Sequence, residues 1–329
     1  MLSQRDNGTC FAGKRWYSPA QMRYFGRQHA HVHTMKSITR GLFGLLIAAA
    51  PFSGWAGATN WMSLLNPNLS LAQLSIPGTH DSGARYEPVP GTAKCQDLTL
   101  EEQLNAGVRF LDIRCRHIND AFAIHHGFVY QNLNFDDVLG AVIGFLNANP
   151  GECVIMSVKE EYDATGNTRA FEQTFDSYVA RNPGKWYLQP ALPTLGQVRR
   201  QIVLFRRFQA SAKPKGIDAS SWPNSTTFSS GVLRVQDNYS VSANDTKWNC
   251  FKAMLNEADH GGAGTLYVNF ASGVQSILGI PNILLVSNDI NSRLTSYFTS
   301  NTLGRYGIIV LDFADATKCA LIYNTLPPH

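Results

Sequence analysis

The chain has 329 residues, of which 44% are hydrophobic and 16% charged, and its formal net charge is +4. This composition is that of a globular protein without low-complexity segments. The charge is too small and too dispersed to indicate a nucleic-acid partner, although it does not oppose work at an anionic membrane surface.

The N-terminal region predicts export. Met35 starts a basic stretch, which is followed by a short apolar run (41–51) and by a small-residue pattern (56–58) that is typical of a cleavage site. We therefore expect a mis-start or disordered leader at 1–34 and a secretory signal peptide at 35–58, so that the mature protein is secreted or periplasmic. The alternative is that translation starts at the first codon and that this segment is a membrane anchor.

The remaining segment, 59–329, contains five cysteines. An odd number of cysteines in an exported protein leaves at least one free thiol. The cysteines show no close spacing of the Cys-x-x-Cys kind that would indicate a metal site. We expect small buried side chains, with room for one disulfide.

The pattern of apolar runs predicts an α/β fold in a single domain. Candidate strands are 71–76, 108–114, 122–125, 153–159, 202–206, 232–235, 266–269 and 307–313, and candidate helices are 99–104, 135–147, 168–181 and 246–258. Thr99 and Glu102 form a capping box at the first of these helices. Eight strands, mostly separated by helices or long loops, favour a parallel (β/α)8 TIM-type barrel over a sandwich. The short gap between the second and third strands predicts a distorted barrel.

The first strand leads into a histidine and a carboxylate. Pro77 and Gly78 are expected to end the strand at 71–76, and His80 and Asp81 follow at once. A histidine beside a carboxylate at the mouth of a barrel strand suits acid–base chemistry. Hydrogen bonding within a turn is the alternative for such a pair.

The next two strands also end in ionisable residues. Asp112 and Arg114 have the same parity along their strand, so both should face the barrel lumen, either as part of a site or as a buried structural ion pair. His125 and His126 end the third strand, and only one of them should reach the site because successive strand residues face opposite sides. No dense carboxylate cluster accompanies them to indicate a metal.

Further strand ends supply more charged and polar groups. These are Lys159, Arg206, Arg207, Asp237, Tyr239 and Asp312. The carboxyl ends of barrel strands converge on one face. Two histidines, several carboxylates, cations and a tyrosine at that face suit a phosphodiester substrate with a polar head group.

Five motifs in order carry a resemblance to a known family. They are Pro-Gly-Thr-His-Asp-Ser (77–82), Phe-Leu-Asp-Ile-Arg (110–114), His-His-Gly (125–127), Met-Ser-Val-Lys (156–159) and Val-Gln-Asp-Asn-Tyr (235–239). From about residue 61 to 313 the chain resembles the bacterial phosphatidylinositol-specific phospholipases C. The resemblance implies a distorted (β/α)8 barrel over 59–329. It also implies cleavage of phosphatidylinositol to diacylglycerol and inositol 1,2-cyclic phosphate, followed by slow hydrolysis of the cyclic ester.

The resemblance also implies catalytic roles. His80 is similar to the general base that takes the proton of the inositol 2-hydroxyl, and Asp312 to the carboxylate that orients it. His126 is similar to the general acid that protonates the diacylglycerol oxygen, and Asp81 to its partner. Arg114 resembles the cation that contacts the phosphoryl oxygens.

Head-group binding is implied for a second set of positions. Lys159, Arg207, Asp237 and Tyr239 match the residues that hold the inositol hydroxyls and stack on the ring in the family. Arg206 is an alternative to Arg207, because the two are adjacent.

Arg114 bears on the metal requirement. Calcium-dependent relatives have a carboxylate at this strand position, and an arginine there would repel a divalent ion. We therefore expect no metal and no cofactor. The expected partner is phosphatidylinositol in membranes, contacted peripherally and transiently by a monomer, and nucleic acid is not expected.

The chain departs from the family in its surface. Segment 86–96 has no tryptophan where characterised relatives tend to carry an aromatic residue for membrane docking. The apolar loop 273–281 is an alternative docking element, or else it packs on the barrel rim.

Two other functions compete with this one. The first is a phosphodiesterase similar to those acting on glycerophosphodiesters, with another head group as substrate, although the Glu-containing metal cluster of such enzymes is not found. The second is a non-catalytic inositol-lipid binding protein. The complete set of candidate acid–base residues argues against a binder, which needs no such pair.

Overall fold

The computed structural model describes residues 57–326. The predicted leader at 1–34 and all but the last two residues of the predicted signal peptide at 35–58 lie outside the described residues. No helix among residues 57–326 is long and apolar enough to cross a bilayer.

The described residues form alternating strands and helices. The strands are β1 (Ser75–Thr79), β2 (Phe110–Ile118), β3 (Ala121–His126), β4 (Val129–Asn134), β5 (Val154–Glu160), β6 (Trp186–Tyr187), β7 (Ile202–Arg207), β8 (Ile217–Asp218), β9 (Thr226–Ser230), β10 (Leu233–Asp237), β11 (Leu266–Phe270), β12 (Gln275–Ile277), β13 (Ile280–Asn282) and β14 (Gly307–Leu311). The helices are α1 (Leu100–Asn105), α2 (Phe135–Ala148), α3 (Phe171–Arg181), α4 (Leu195–Val198), α5 (Asn244–His260), α6 (Leu284–Ser300) and α7 (Ala316–Tyr323).

A parallel sheet organises the fold. Its strands lie side by side in the order β6, β7, β5, β2, β1, β14, β11, β10, and every neighbouring pair in this order is parallel. β8 extends the edge beside β6, and β9 adds an antiparallel strand next to β10. Within residues 57–326 no ladder joins β9 to β6 or β8. The sheet curls into a barrel with an open seam, which confirms the predicted distorted α/β barrel.

The predicted first strand is wrong at both ends. Leu71–Gln73 is a single 3₁₀ turn, and β1 begins only at Ser75. Pro77 and Gly78, which were expected to end the strand, lie inside it. The Pro77 carbonyl faces β2 and accepts a hydrogen bond from the Arg109 amide at 2.9 Å. The missing proline N–H costs no ladder bond, because β2 pairs with β1 only from the residue after Pro77 onward.

A hairpin explains why the third strand follows so closely on the second. β2 continues past its predicted end at residue 114, and β3 then turns back antiparallel to it. Asn119 and Asp120 form the turn with φ values of 49° and 58°, a left-handed conformation that these residue types tolerate well. β4 pairs antiparallel with β3. The hairpin is inserted between β2 and its parallel neighbour β5, and the crossover helix α2 follows only after β4.

The helices cover the outside of the sheet. The predictions for α1, α2, α3 and α5 are confirmed to within a few residues, including the capping box of Thr99 and Glu102. α2 buries the apolar residues whose helical spacing predicted it. By contrast, α6 and α7 were not predicted. α6 buries Val286, Ile290 and Leu294 at four-residue spacing, but many polar residues between them obscure the pattern.

An ion pair lies at the amino ends of the strands, away from the polar strand ends. Arg109 Nε donates to Glu152 Oε2 at 2.8 Å, and both side chains are fully buried. The same carboxylate accepts the backbone amide of Ser63 at 2.8 Å. Because each charge is paired and hydrogen-bonded, we assign this pair to structure rather than catalysis.

The five described cysteines are all unpaired. Cys95, Cys115, Cys153 and Cys319 are buried, and Cys250 is half-buried. The expectation of small buried side chains is therefore largely confirmed. The disulfide for which the sequence left room is not formed among these five.

Candidate active site

The polar residues predicted from the strand ends come together at one mouth of the barrel. His80 and Asp312 follow β1 and β14, and Arg114 lies on β2. The other predicted residues lie at or just after the ends of β3, β5, β7 and β10, and they are His126, Lys159, Arg207, Asp237 and Tyr239.

His80 is held from both ring nitrogens. Its Nδ1 lies 2.8 Å from Asp312 Oδ1, and its Nε2 lies 2.8 Å from Arg114 Nη2. A carboxylate accepts and a guanidinium donates, so the two partners place the imidazole proton on Nδ1 and leave a lone pair on Nε2. Gln96 supports the arrangement, because its Nε2 donates to the backbone carbonyls of His80 and Leu311.

The charges around His80 favour proton uptake. Burial lowers the pKa of His80, but the charge and hydrogen bond of Asp312 outweigh burial and the opposing Arg114 charge, so the pKa is raised. A raised pKa, and an unprotonated Nε2 whose one hydrogen-bond partner is Arg114, suit a group that must take a proton.

Asp112 joins two arginines beneath the site. Arg114 donates to Asp112 Oδ2 from Nε and Nη2, each at 3.1 Å, and Arg207 Nη1 donates to Oδ1 at 3.3 Å. Burial would raise the pKa of Asp112, but the charges of Arg114 and Arg207 outweigh it and hold the pKa far below its usual range. The predicted lumen pair is therefore formed, and it fixes the position of the cation that contacts His80.

The predicted pair of Asp81 and His126 is close but is not hydrogen-bonded. Asp81 Oδ2 lies 3.9 Å from His126 Nδ1, and that nitrogen instead contacts the carbonyl of Ala93 at 2.7 Å. Asp81 is fully buried, and neither of its carboxylate oxygens has a hydrogen-bond partner. Burial raises the pKa of Asp81, although the nearby Arg114 charge opposes the rise.

Arg207, Asp237 and Tyr239 are called the head-group wall below, and Trp222 links the first two of them. The Arg207 guanidinium stacks 3.8 Å from the indole centroid, and the indole Nε1 donates to Asp237 Oδ2 at 2.9 Å. Tyr239 is partly exposed, and its hydroxyl contacts Asn224.

Lys159 lies between Arg114 and Arg207, which are its register partners on the two neighbouring strands. Its Nζ pairs with Glu161 at 2.5 Å, and Glu161 also accepts the Gly127 amide next to His126 at 3.2 Å. Burial would raise the pKa of Glu161, but the charges of Arg114 and Lys159 outweigh it and lower the pKa to about 2. Glu161 therefore ties the lysine to the turn that directly follows His126 at the end of β3.

The structure separates the adjacent alternatives. Arg206 points away from the mouth, where its guanidinium contacts Asp218 at 2.6 Å, so Arg207 is the arginine that faces the site. His125 packs with Tyr130 and Tyr162, whereas the ring of His126 lies 6.5 Å from that of His80. Only one histidine of the pair reaches the site, as the strand alternation predicts.

Several residues at the site were missed from the sequence. Glu161, Trp222, Gln96, Cys95 and the buried Lys247 all lie in or directly behind the mouth. Glu161 could have been found from the sequence, because it lies two residues after Lys159 and strand alternation places the two side chains on the same face. Trp222 and Gln96 lie in loops, where no periodic signal points to the barrel mouth.

The arrangement provides one proton acceptor, a second imidazole across the mouth, and a fixed guanidinium between them. Groups of this kind can transfer protons on both sides of a phosphorus centre while a cation meets the developing charge. The fold and this mouth define the class as barrel phosphodiesterases.

Comparisons with known proteins identify the family within that class. Residues 76–208 match the family model described as phosphatidylinositol-specific phospholipase C, X domain. The chain is 31% identical over 314 residues to a 1-phosphatidylinositol phosphodiesterase of Staphylococcus aureus, covering 86% of this chain and 95% of the relative. It is 27% identical over 278 residues to the protein of the same name from Listeria monocytogenes, covering 80% and 84%.

Solved structures agree with the sequence comparisons. A structure of the S. aureus phosphatidylinositol-specific phospholipase C gives a TM-score of 0.76 at 30% identity, covering 82% of this chain and 98% of that chain. The L. monocytogenes phosphatidylinositol-specific phospholipase C gives 0.69 at 24% identity, over 83% and 100%, which shows the shared fold. The chain belongs to the family of bacterial phosphatidylinositol-specific phospholipases C, which confirms the resemblance found in the sequence.

Proposed function

We propose that this protein cleaves phosphatidylinositol in membranes to diacylglycerol and inositol 1,2-cyclic phosphate, with His80 as general base and His126 as general acid. The observation that carries the proposal is the arrangement of His80, whose Nδ1 is held by Asp312 and whose unprotonated Nε2 contacts Arg114, the cation proposed to meet the phosphoryl oxygens. The names of the relatives support the substrate, since the S. aureus and L. monocytogenes proteins are 1-phosphatidylinositol phosphodiesterases.

The first step is an intramolecular attack. The Arg114 guanidinium exchanges its hydrogen bond to His80 Nε2 for the phosphoryl oxygens. The inositol 2-hydroxyl then gives its proton to Nε2, and its oxygen forms a bond to the phosphorus. Because the hydroxyl lies next to the phosphate on the same ring, the enzyme must chiefly orient the head group and remove the proton. Asp312, 2.8 Å from Nδ1, stabilises the imidazolium that results.

The bond from phosphorus to the diacylglycerol oxygen breaks in the same step. His126 gives a proton to that oxygen, and the Asp81 carboxylate lies 3.9 Å from its Nδ1. The partly exposed edge of His126 allows it to meet a leaving group at the membrane side. Hydrolysis of the cyclic ester then runs with the roles of the two histidines reversed.

Arg114 takes the place of a metal ion in this proposal. Its guanidinium lies 3.1 Å from Asp112 and 3.6 Å from Asp81, so it supplies positive charge where a divalent ion would otherwise balance the carboxylates. A planar guanidinium can donate two hydrogen bonds to phosphoryl oxygens. We propose that the reaction requires no metal and no cofactor.

Four residues are proposed to bind the inositol ring. Arg207 and Asp237 are fixed by their contacts with Trp222, and Lys159 is fixed by Glu161. The partly exposed Tyr239 can stack on one face of the ring.

The β12–β13 hairpin is proposed to dock the enzyme on membranes. Leu278 is 98% exposed, and Ile277 and Ile280 are 50% and 58% exposed, so the apolar loop at 273–281 does not pack on the barrel rim at its tip. The Val274 amide bonds to the Tyr239 carbonyl at 2.8 Å, which joins the hairpin directly to the proposed head-group wall. Modulated membrane binding is described for the S. aureus phospholipase.

Export and assembly complete the proposal. The sequence pattern at 35–58 supports a signal peptide and a secreted or periplasmic enzyme, with 1–34 as a leader or mis-start and 59–329 as one catalytic barrel. We propose that the enzyme acts as a monomer that contacts phosphatidylinositol membranes transiently and does not bind nucleic acid.

The proposal is tested with phosphorus NMR on phosphatidylinositol vesicles in excess EDTA. A cyclic phosphate resonance that precedes the monoester is the expected result. His126→Asn should remove most of this activity, whereas His125→Asn is the matched control, because that ring packs outside the mouth. Activity only after calcium addition would contradict the role of Arg114, and activity on another head group would favour the glycerophosphodiesterase-like alternative. Tight binding without any product would favour a binding protein.

A further inference from the structure

Cys95 lies between the two histidine–carboxylate pairs and has no part in the proposed reaction. Its thiol is fully buried, and its Sγ lies 3.9 Å from His126 Nδ1. Ligand atoms of Cys95, His126 and Asp81 all lie within 4.8 Å of one another. The backbone is fixed as well, because the Cys95 amide bonds to the Ala84 carbonyl and its carbonyl accepts the Phe313 amide.

Asp81 provides an independent sign that a ligand fits here. Both of its carboxylate oxygens are buried without a hydrogen-bond partner, and one of them faces His126 at 3.9 Å. Buried carboxylate oxygens are almost always partnered, so this side chain has unused capacity to bind a cation. The ring nitrogens of His80, by contrast, are both engaged.

We propose that Cys95, Asp81 and His126 form an inhibitory site for a soft divalent cation of the zinc class. A thiolate, an imidazole and a carboxylate are the ligands that Zn²⁺ prefers, and a tetrahedral ion separates such ligand atoms by about 3.5 Å. The two separations from His126 Nδ1, to Cys95 Sγ and to Asp81 Oδ2, are both 3.9 Å and need to close by a few tenths of an ångström. The sulfur and the carboxylate lie within 4.8 Å of each other, so their side chains would also move closer together. His126 Nδ1 would exchange the Ala93 carbonyl for the ion, and the thiol would release its proton to solvent.

The thiolate makes this site selective for soft ions. Arg114 lies 3.6 Å from Asp81 and opposes any cation. Calcium needs six to eight oxygen ligands, and Asp81 is the only carboxylate among the three residues of this cluster. A zinc-class ion gains the negative charge of the Cys95 thiolate in addition to that of Asp81, and the two together balance its charge.

Occupancy would block the acid side of the reaction. The ion would hold His126 away from the leaving group and neutralise Asp81, so inhibition by the ion rests on the proposed function, whereas binding of the ion does not. Zinc would act here as an inhibitor of a reaction that needs no metal.

The binding test uses cadmium chloride with the full chain and two variants. Cd²⁺ bound to a thiolate gives a sulfur-to-cadmium charge-transfer absorption in the ultraviolet. The band should appear with the unaltered chain and with Cys250→Ala, in which a half-buried cysteine outside the mouth is replaced. In Cys95→Ala its intensity should decrease by the contribution of one bound ion. Cys10 is present in all three proteins, so its contribution cancels in the comparison.

The inhibition test uses zinc chloride and phosphatidylinositol vesicles. Cys95→Ala should keep its basal activity and require about tenfold more zinc, or higher, for half-inhibition. A thermal melt checks folding, and Cys95→Ser is the second variant in case the alanine variant is unstable. An unchanged cadmium band or unchanged zinc sensitivity in the Cys95 variants overturns the site. If the protein shows no lipase activity at all, the cadmium band still decides whether the ion binds.

Discussion

Asp312→Asn isolates the tautomer of His80. Asp312 Oδ1 can only accept from His80 Nδ1 at 2.8 Å, which keeps the lone pair on Nε2. An asparagine amide can donate to Nδ1 instead, and the imidazole proton then moves to Nε2. Arg114 Nη2 lies 2.8 Å from that nitrogen, so two N–H donors would face each other. The substitution therefore removes the proton acceptor and also disturbs the cation, with almost no change in volume.

The expected loss is large because both effects act on the same step. General acid–base catalysis by a positioned side chain contributes about 10²–10⁴-fold, and a wrong histidine tautomer costs about 10⁴-fold in a comparable histidine–aspartate pair. We expect kcat to fall by about 10³–10⁴-fold. Because the head-group residues are untouched, KM should change by much less.

The assay is initial-rate release of inositol cyclic phosphate, measured with the purified variants under identical conditions. Asp315→Asn is the matched control, because Asp315 lies in the same loop, caps α7 and does not contact His80. Asparagine also caps helices well, so this control should keep its activity. If Asp312→Asn retained activity within tenfold of the unaltered chain, the assignment of His80 as an oriented base would be wrong.

Two further predictions test the membrane surface and a buried charge. Leu278→Ser should lower activity on vesicles by about tenfold, because burying a leucine is worth about 1.5–3 kcal/mol, whereas activity on a soluble inositol phosphodiester should stay unchanged. The control is Leu303→Ser, since Leu303 is 65% exposed just before β14. Equal losses in both assays would refute docking by the hairpin. Burial lowers the pKa of Lys247 to about 8, so its folded form binds fewer protons than the unfolded chain between pH 8 and 10.5. The unfolding free energy should therefore rise over this range by about 3 kcal/mol relative to Lys247→Met, as measured by urea denaturation, and parallel pH profiles would contradict the shift.

The sequence was most informative where the signal is local. Helical spacing predicted α2 almost to the residue, and Thr99 with Glu102 marked the start of α1. Strand alternation predicted that Asp112 and Arg114 share a face and that only one histidine of the pair at residues 125 and 126 reaches the mouth. These patterns depend on the geometry of a single helix or strand, so they can be read without knowledge of the neighbours.

The local signal was misleading where a neighbouring strand decides. Pro77 and Gly78 are typical of a loop, but both lie inside β1, because β2 starts too late to need the missing proline N–H. The same limit applied to the choice between Arg206 and Arg207. Alternation says only that they face opposite sides, and the packing of β7 in the barrel determines which side is the lumen.

The sequence by itself determined the barrel class, the order of the polar strand ends and the family. The tertiary structure alone decided which of these groups touch. His80 and Asp312 are separated by 232 residues, and their 2.8 Å contact exists because β1 and β14 are parallel neighbours. Such contacts depend on strand pairing over long sequence separations, which no local period encodes. For the same reason, the position of Cys95 between the two histidine–carboxylate pairs became visible only in the fold.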